Sequence, residues 1–304
     1  MSASETEPLI KENAPLVSYY NSLESRIGYR AFLGGTRHFG YYEPGCWWPF
    51  PITAALRKME DHLARSLNLP PGATVLDAGC GYAHVAIHMA RKHGLRVTGI
   101  DVIDRHVTRG KENVRAAGLS NSVSLQKGDY HHLENFADRT FDGLYTMETF
   151  VHATDPKAAL QEFCRVLAPG GSIALYEYDH INIAGDNITE DMRRQFAQIN
   201  KYAAMPANIS FEQGTLQSLL EDAGFIEIQS TDLTENVKPM LRLFFIVAYI
   251  PFLLISFFGL EKYFINAVAA VMGYRYLYMH RYICVTARKP GDRQGLDGEV
   301  KKAI

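Results

Sequence analysis

The stretch VLDAGCGYAHVA, residues 75 to 86, holds the side chains with the clearest chemical use. An apolar run ends in the carboxylate of Asp77, turns through Gly79, Cys80 and Gly81, and opens into a helical pattern. Glycines carry no Cβ, so their backbone N–H groups can approach a ligand closely, and a helix N-terminus just behind them favours its anionic part. Twenty residues beyond Gly81, Asp101 ends the run VTGID with Val102 behind it, where an acid accepts hydrogen bonds from both ribose hydroxyls of an adenosine. Asp129 and Tyr130 close the next apolar run, offering an acceptor for an exocyclic amine and a ring for the face of a base. This is the donor set of a nucleotide-type ligand. A pyrophosphate suits it less, because Ala83 and His84 stand where the dinucleotide fingerprint places its third glycine. None of the 17 tyrosines is followed four residues later by lysine, so the hydride-transfer reading lacks its proton-transfer pair.

Other chemistries find less support. His84 and His88 lie four apart, but no third ligand completes a metal site, and no metal is expected. His131 and His132 are expected on a loop. PGGSIAL lacks the glycine after serine that a nucleophile elbow requires.

The elements that must position these groups follow from the pattern. From Ala73 onward, strand-length runs (TVLDAG, RVTGIDV, SVSLQKGDY, FDGLYTME, SIALYEY) alternate with helical ones (HVAIHMARKHG, RHVTRGKENVRAAG, KAALQEFCRVLAPGG). Such alternation predicts a parallel sheet with crossover helices, and ligands of open α/β sheets bind at the carboxyl ends of the strands. A helix in GTLQSLLEDAG, a strand in FIEIQSTDL and a last strand over 281–289 complete the series. Ahead of it, helices are predicted from about Val17 to Leu33 and from about Ile52 to Leu67, with the aromatic loop HFGYYEPGCWWPFP between them; about the first 15 residues read as a disordered tail. The domain reading is a tail and helical cap over 1–70, a ligand-binding core over 71–182, lid helices and a sixth strand over 183–240, an apolar insert over 241–280, and the last strand with a polar tail over 281–304.

Composition narrows the function further. With 304 residues and 47% hydrophobic side chains the chain can bury a full α/β core. Its 31 basic and 33 acidic residues give a formal charge of −2, which supplies no basic surplus for nucleic acid. Four cysteines without a CxxC pair argue against a zinc site or a disulfide framework and fit a reducing compartment; the polar N-terminus shows no secretory signal.

The order of glycine turn, ribose acid, GDY, FDGLYTMET and LAPGGSIALYE resembles that of class I S-adenosylmethionine methyltransferases. Within that class the chain is similar to the sterol 24-C-methyltransferases through YYEPGCWWPF at 41–50, YTMETFVHA at 145–153, PGGSIALYEYDH at 169–180 and the closing ARKP at 287–290. The resemblance implies a Rossmann-like seven-stranded α/β sheet with an N-terminal helical cap and an apolar helical insert before the last strand, and S-adenosylmethionine as cofactor. Asp77 would face its ammonium, and Asp77, Gly79, Cys80, Gly81, Asp101, Val102, Asp129, Tyr130 and Glu148 would bind it. The implied reaction transfers a methyl group to carbon of a lipophilic sterol- or terpenoid-like acceptor, with methylation of oxygen or nitrogen, or cofactor binding without turnover, as alternatives. Such chemistry passes through a carbocation, for which Tyr41, Tyr42, Trp47, Trp48 and Phe50 would supply electron-rich walls. Glu148, His152 and Tyr42 are the catalytic candidates, Glu148 first as the base for the final proton, with Glu43, Tyr176 and His180 as substrate-binding candidates. The chain departs from the family where Gly45-Cys46-Trp47-Trp48-Pro49-Phe50 replaces Gly-Trp-Gly followed by Ser-Phe-His, and where Asp101 replaces a frequent asparagine.

Residues 243 to 260, LFFIVAYIPFLLISFFGL, contain no charge and are long enough for a membrane span. They lie between two strands expected to pair, so the chain must return on the same side, and the following apolar stretch is too short to cross. The expectation is a monotopic, intracellular enzyme that meets a membrane through 241–280, at the endoplasmic reticulum or a lipid droplet if eukaryotic, and draws a lipophilic small molecule from it.

Overall fold

The structure, a computed structural model, describes residues 13–21 and 34–292. Helix α1 spans Ala14–Asn21. The helix expected to continue to Leu33, and most of the expected disordered tail, fall outside the described residues. Helix α2, Ile52–Leu67, buries Leu56, Met59, Leu63 and Leu67 at three- and four-residue spacing, which puts them on one face. It stops where Asn68 takes a left-handed conformation ahead of Pro70 and Pro71.

The core then alternates as the pattern predicts: β1 (Thr74–Ala78), α3 (His84–His93), β2 (Arg96–Asp101), α4 (Asp104–Ala116), β3 (Val123–Lys127), β4 (Phe141–Met147), α5 (Pro156–Val166) and β5 (Leu167–His180). The second half adds α6 (Glu190–Tyr202), α7 (Thr215–Asp222), β6 (Ile226–Asp232), α8 (Thr234–Phe257), α9 (Ile265–Arg275) and β7 (His280–Arg288). The seven strands are ordered β3-β2-β1-β4-β5-β7-β6, with β7 antiparallel to both neighbours. This is the Rossmann-like methyltransferase sheet. The order reverses between β1 and β4, so a crevice opens there at the carboxyl ends of β1, β2 and β4, and the glycine turn, Asp101 and Glu148 stand around it.

Both faces of the central strands are covered, so β1 reads as a nearly continuous apolar run. Neighbouring side chains go to opposite layers. Tyr145 joins Met59, Leu63 and Met89 under α2 and α3, whereas Leu144 joins Leu160, Phe163 and Leu220 under α5 and α7.

Helix α8 begins at Thr234, ahead of the expected insert boundary at 241, and runs 24 residues through Pro239 and Pro251. It packs against α9, and their buried residues Phe252, Ile265, Val268 and Val271 form a separate cluster with Leu16 and Tyr19 of α1. Since β6 and β7 pair with each other, the α8–α9 hairpin leaves and re-enters the sheet at one edge.

Candidate active site

The glycine turn is built by close approach. Gly79 sits at φ +108°, and a Cβ there would fall 2.6 Å from the Thr149 side chain, whose hydroxyl donates to the Ala78 carbonyl at 2.8 Å. Gly81, at φ +51°, donates its N–H to Asp101 Oδ2 at 3.0 Å, and a Cβ on it would point into open space. The Cys80 thiol packs inward against Gly99, and burial raises its pKa. Helix α3 starts at Ala83 without a side-chain cap, which leaves its first N–H groups available to a ligand.

Two carboxylates face this turn with different electrostatics. Burial works against the charge of Asp101, but His106 at 3.2 Å and the N–H groups of Ile103 and Gly81 outweigh it and hold the pKa below its ordinary value. Asp77 is fully enclosed, and burial raises its pKa to about 7 although the Tyr145 hydroxyl donates to Oδ2 at 2.8 Å. Asp77, Gly79, Gly81, Asp101 and the ring of Tyr82 line a cleft of about 60 Å³. S-adenosylmethionine fits this donor set: an enclosed acid for its ammonium, an acid at the end of β2 for its ribose, and an uncapped helix with a Cβ-free turn for its carboxylate.

The other expected cofactor residues are arranged differently. Asp129 is buried and bonded within its own turn, to the N–H of His131 at 3.0 Å and to the His131 ring at 2.6 Å. Tyr130 donates to the Thr149 carbonyl at 3.1 Å and packs its ring against Phe150 and Phe163, so it faces the core. Val102 packs on the cluster that contains Leu16 and Tyr19. None of the three lines the cleft.

Glu148 stands at the junction between the cleft and a much larger cavity. It follows β4 at φ +57°, a conformation that costs a non-glycine residue strain and recurs at functional sites. Its carboxylate accepts from Phe39 N–H at 2.7 Å, from the Tyr282 hydroxyl at 3.0 Å and from the Tyr178 hydroxyl. Burial nevertheless keeps its pKa above the usual carboxylate range. Tyr178 and Tyr282 face each other across the β5–β7 register, which is why both reach it. Arg37, His38 and Glu148 line both spaces and form the wall between them.

The larger cavity has a volume of about 580 Å³. Tyr178, Tyr282 and His280 of the sheet, Phe196 of α6, Leu241, Phe244, Ala248 and Pro251 of α8, and small residues of α9 such as Ala267, Ala270 and Gly273 surround it. Of the aromatic loop only His38 and Phe39, at its start, reach it; Tyr41, Tyr42, Trp47, Trp48 and Phe50 do not. Trp47 and Trp48 are 70% and 66% exposed, Phe50 lies beside Trp48, and Glu43 is exposed near Lys58 at 3.7 Å. Tyr42 is buried with its hydroxyl on the Pro49 carbonyl at 2.7 Å, and burial raises its pKa to about 12, so it is a loop anchor and has no catalytic position. Tyr41 stacks on His62, and the Tyr176 hydroxyl bonds His62 at 2.6 Å and Ser66 at 3.0 Å within the core. The rings expected around a carbocation thus lie outside the cavity, because the loop folds over α2 and toward solvent.

The histidines are corrected as well. His152 places Nδ1 on the Ala204 carbonyl at 2.7 Å and Nε2 on the Tyr20 hydroxyl at 2.9 Å, and burial lowers its pKa to about 4. A neutral ring with both nitrogens engaged, off both the cleft and the cavity, is a structural pin. His180 directs its nitrogens at the carbonyls of Ile181 and Asn208, at 2.7 and 2.9 Å. His88, with His93, converges on Asp61 Oδ1 at 2.8 and 3.0 Å, while Lys92 takes Oδ2 at 2.6 Å. These three ligand-type atoms lie within 4.8 Å of one another, a cluster that helical spacing of His84 and His88 did not reveal because two of its members come from outside that pair.

Sequence reasoning also missed Glu177. Its buried carboxyl accepts from Thr146 Oγ1 and from the N–H groups of Thr149, Phe150 and Val151, and burial raises its pKa to about 8. It holds the turn against which Gly79 packs. A carboxyl inside the apolar and aromatic stretch IALYEY, residues 173–178, was the available signal.

A family model described as a methyltransferase domain matches residues 69–224, just over half of the chain. The S-adenosyl-L-methionine-dependent Diels-Alderase iccD of Talaromyces variabilis is 42% identical over 275 residues, covering 90% of this chain and 94% of that one. Cycloartenol-C-24-methyltransferase 1 of Oryza sativa is 33% identical over 224 residues, covering 73% of this chain and 62% of that one. Among solved structures, the 4+2 cyclase SpnF superimposes with a TM-score of 0.68 at 26% identity, over 91% of this chain and 94% of its own. With its switch-point donor set and these likenesses over most of its length, the chain belongs to the class I S-adenosylmethionine-dependent methyltransferase family, and S-adenosylmethionine is its cofactor.

Proposed function

We propose that this protein binds S-adenosylmethionine and uses the adjoining cavity to fold a lipophilic polyene for an intramolecular Diels–Alder cyclisation. One observation carries the reading: a large apolar cavity abuts the cofactor cleft, and the carboxylate and imidazole on their shared wall, Glu148 and His38, are already engaged. Glu148 accepts three donors, and His38 places its nitrogens on the Phe39 carbonyl and on Glu60. His152 lies outside the cavity. Methylation of oxygen requires a base at the acceptor, and methylation of an alkene requires one for the last proton. A cycloaddition needs neither. Diene and dienophile exchange two π bonds for two carbon–carbon σ bonds while the remaining π bond shifts; no atom leaves and no proton moves. What such a reaction asks of a protein is restriction of the chain to a reactive fold away from water, which in well-oriented systems reaches about 7–11 kcal/mol. The likeness to two cyclases of this type supports the reading. The cofactor supplies, when bound, a methyl donor or a fixed positive charge on the cleft side of Glu148.

Transfer of the methyl to carbon of a sterol- or terpenoid-like acceptor is the second reading. Its support is the sterol-type relative and the rings of Phe39, Phe244, Tyr178 and Tyr282 around the cavity. Incubation with a lipid extract and a trideuteromethyl donor separates the two. Cyclisation yields an unlabelled isomer of equal mass with shortened polyene absorbance, whereas a labelled product heavier by the transferred methyl overturns the first reading.

Membrane association through the α8–α9 hairpin completes the proposal. Beyond Arg242, helix α8 is apolar all round: Phe244, Ala248 and Pro251 face the cavity, while Ile246, Ile250, Leu253, Leu254 and Phe257 are exposed on the other side. At about 1.5 Å per residue its 24 residues reach roughly 36 Å, but the 11 of α9 reach only about 17 Å, too short for a return span. Trp47 and Trp48 flank the hairpin, since Arg242 covers the Trp47 ring at 3.6 Å and donates to its carbonyl at 2.9 Å. Tryptophans beside a cation at the edge of an apolar face suit a membrane interface. An intracellular membrane surface is the corresponding location.

A further inference from the structure

The cavity contains one imidazole that the proposed reaction does not use. His280 opens β7 two residues before Tyr282, so both present the same face of the sheet, about 7 Å apart along the strand. Phe196 stacks on its ring at 5.6 Å and 18°. His180 stands opposite at 6.5 Å, but both of its nitrogens are taken by carbonyl oxygens. The neighbouring Arg281 is held on Asp179, with Nε at 2.9 Å from Oδ1. Among the described residues no hydrogen-bond donor or acceptor meets either ring nitrogen of His280. Burial lowers its pKa to about 4, with His180 adding to the effect, so the ring is neutral at physiological pH. A neutral imidazole that lines an apolar cavity and lacks a protein partner is left unsatisfied once an apolar ligand displaces water from it, a cost that an acceptor on the ligand relieves.

We propose that His280 is a substrate-binding residue whose imidazole N–H donates to a neutral carbonyl oxygen of the lipophilic substrate, one strand repeat away from the Glu148–Tyr178–Tyr282 group. This rests on the reading that the cavity holds a polyene. It narrows the substrate class to polyenes carrying a ketone, ester or amide carbonyl. At this end of the cavity an anionic group is disfavoured, since the ring brings no charge and the Arg281 guanidinium is committed to Asp179. A single neutral hydrogen bond also fixes which end of the chain points toward Glu148.

The test uses two probes of matched shape: methyl retinoate, a polyene ester, and axerophthene, the corresponding hydrocarbon. Binding is followed by quenching of protein fluorescence in the full-length protein loaded with S-adenosylmethionine. The wild type should bind the ester roughly tenfold more tightly than the hydrocarbon, the span of one net hydrogen bond. In His280→Phe the two affinities should become equal while hydrocarbon binding is kept, and His280→Asn, which retains a donor, should recover part of the preference. A matching readout is the imidazole nitrogen resonance of His280, which should shift with the ester and stay in place with the hydrocarbon. Unchanged discrimination in His280→Phe, or none in the wild type, overturns the role of His280 and leaves the cavity reading standing. Failure of both probes to bind sinks the cavity reading and this inference together.

Discussion

Cofactor affinity should depend on pH through Asp77, and the structure sets both the sign and the size. Burial places the pKa of Asp77 at about 7 in the free protein, with Tyr145, Asp101 and His38 as the groups acting on it. With Asp77 in its proposed role as partner of the S-adenosylmethionine ammonium, binding below that pKa must expel a proton. Ionised Asp77 amounts to about 9% at pH 6 and about 91% at pH 8, so the acid limb spans roughly tenfold in Kd, close to 1.4 kcal/mol. Affinity therefore falls as pH falls through 7. On the alkaline side the ligand's own amine loses its proton near 8, as α-amino groups do, so the profile should peak between about 7 and 8. Isothermal titration calorimetry in buffers of different ionisation enthalpy should register proton release at pH 6 and little at pH 7.5. Asp77→Asn should weaken binding at neutral pH and flatten the acid limb. An unaltered acid limb in Asp77→Asn, or a flat wild-type profile from pH 5.5 to 7, would show that Asp77 does not control cofactor affinity.

Further outcomes follow from other parts of the site. Gly79→Ala should abolish cofactor binding, since the new methyl would lie 2.6 Å from Thr149 at φ +108°, and should lower stability by about 1–3 kcal/mol in thermal or urea unfolding; full affinity would contradict the close approach. His152→Ala should cost about 1–3 kcal/mol of stability by leaving the buried Ala204 carbonyl without its imidazole partner, yet leave the pH dependence of turnover in place; loss of one limb of that profile would restore His152 as a base. Replacing Trp47 and Trp48 together by serine should weaken sedimentation with phosphatidylcholine vesicles while cofactor affinity stays the same, and unchanged sedimentation would remove the loop from the membrane surface.

The sheet, the switch point and the cofactor turn were legible in the amino-acid order alone. These features depend on short-range rules: period-two and period-3.6 patterning, glycines at left-handed positions, and acids at strand ends. That order placed Asp77, Gly79, Gly81 and Asp101 around one cleft for that reason, and it singled out Glu148 by motif. Tertiary structure alone decided the acceptor side. Phe39, Phe196, Phe244 and Tyr282 reach one cavity from elements up to 243 positions apart in the chain, and no local pattern encodes that convergence. The same limit explains the aromatic loop. Tyr42, Trp47, Trp48 and Phe50 form an aromatic cluster in sequence, but an aromatic ring contributes equally to a core, a cavity wall or a membrane face. Only the packing of α2 and α8 against the loop turned the two tryptophans and Phe50 outward. Polar side chains followed the same rule. His152 and Glu148 lie four residues apart, yet the Ala204 carbonyl, 52 positions away, claims one and the tyrosines of β5 and β7 claim the other, because hydrogen bonds are satisfied in space and spacing along the chain does not reveal them.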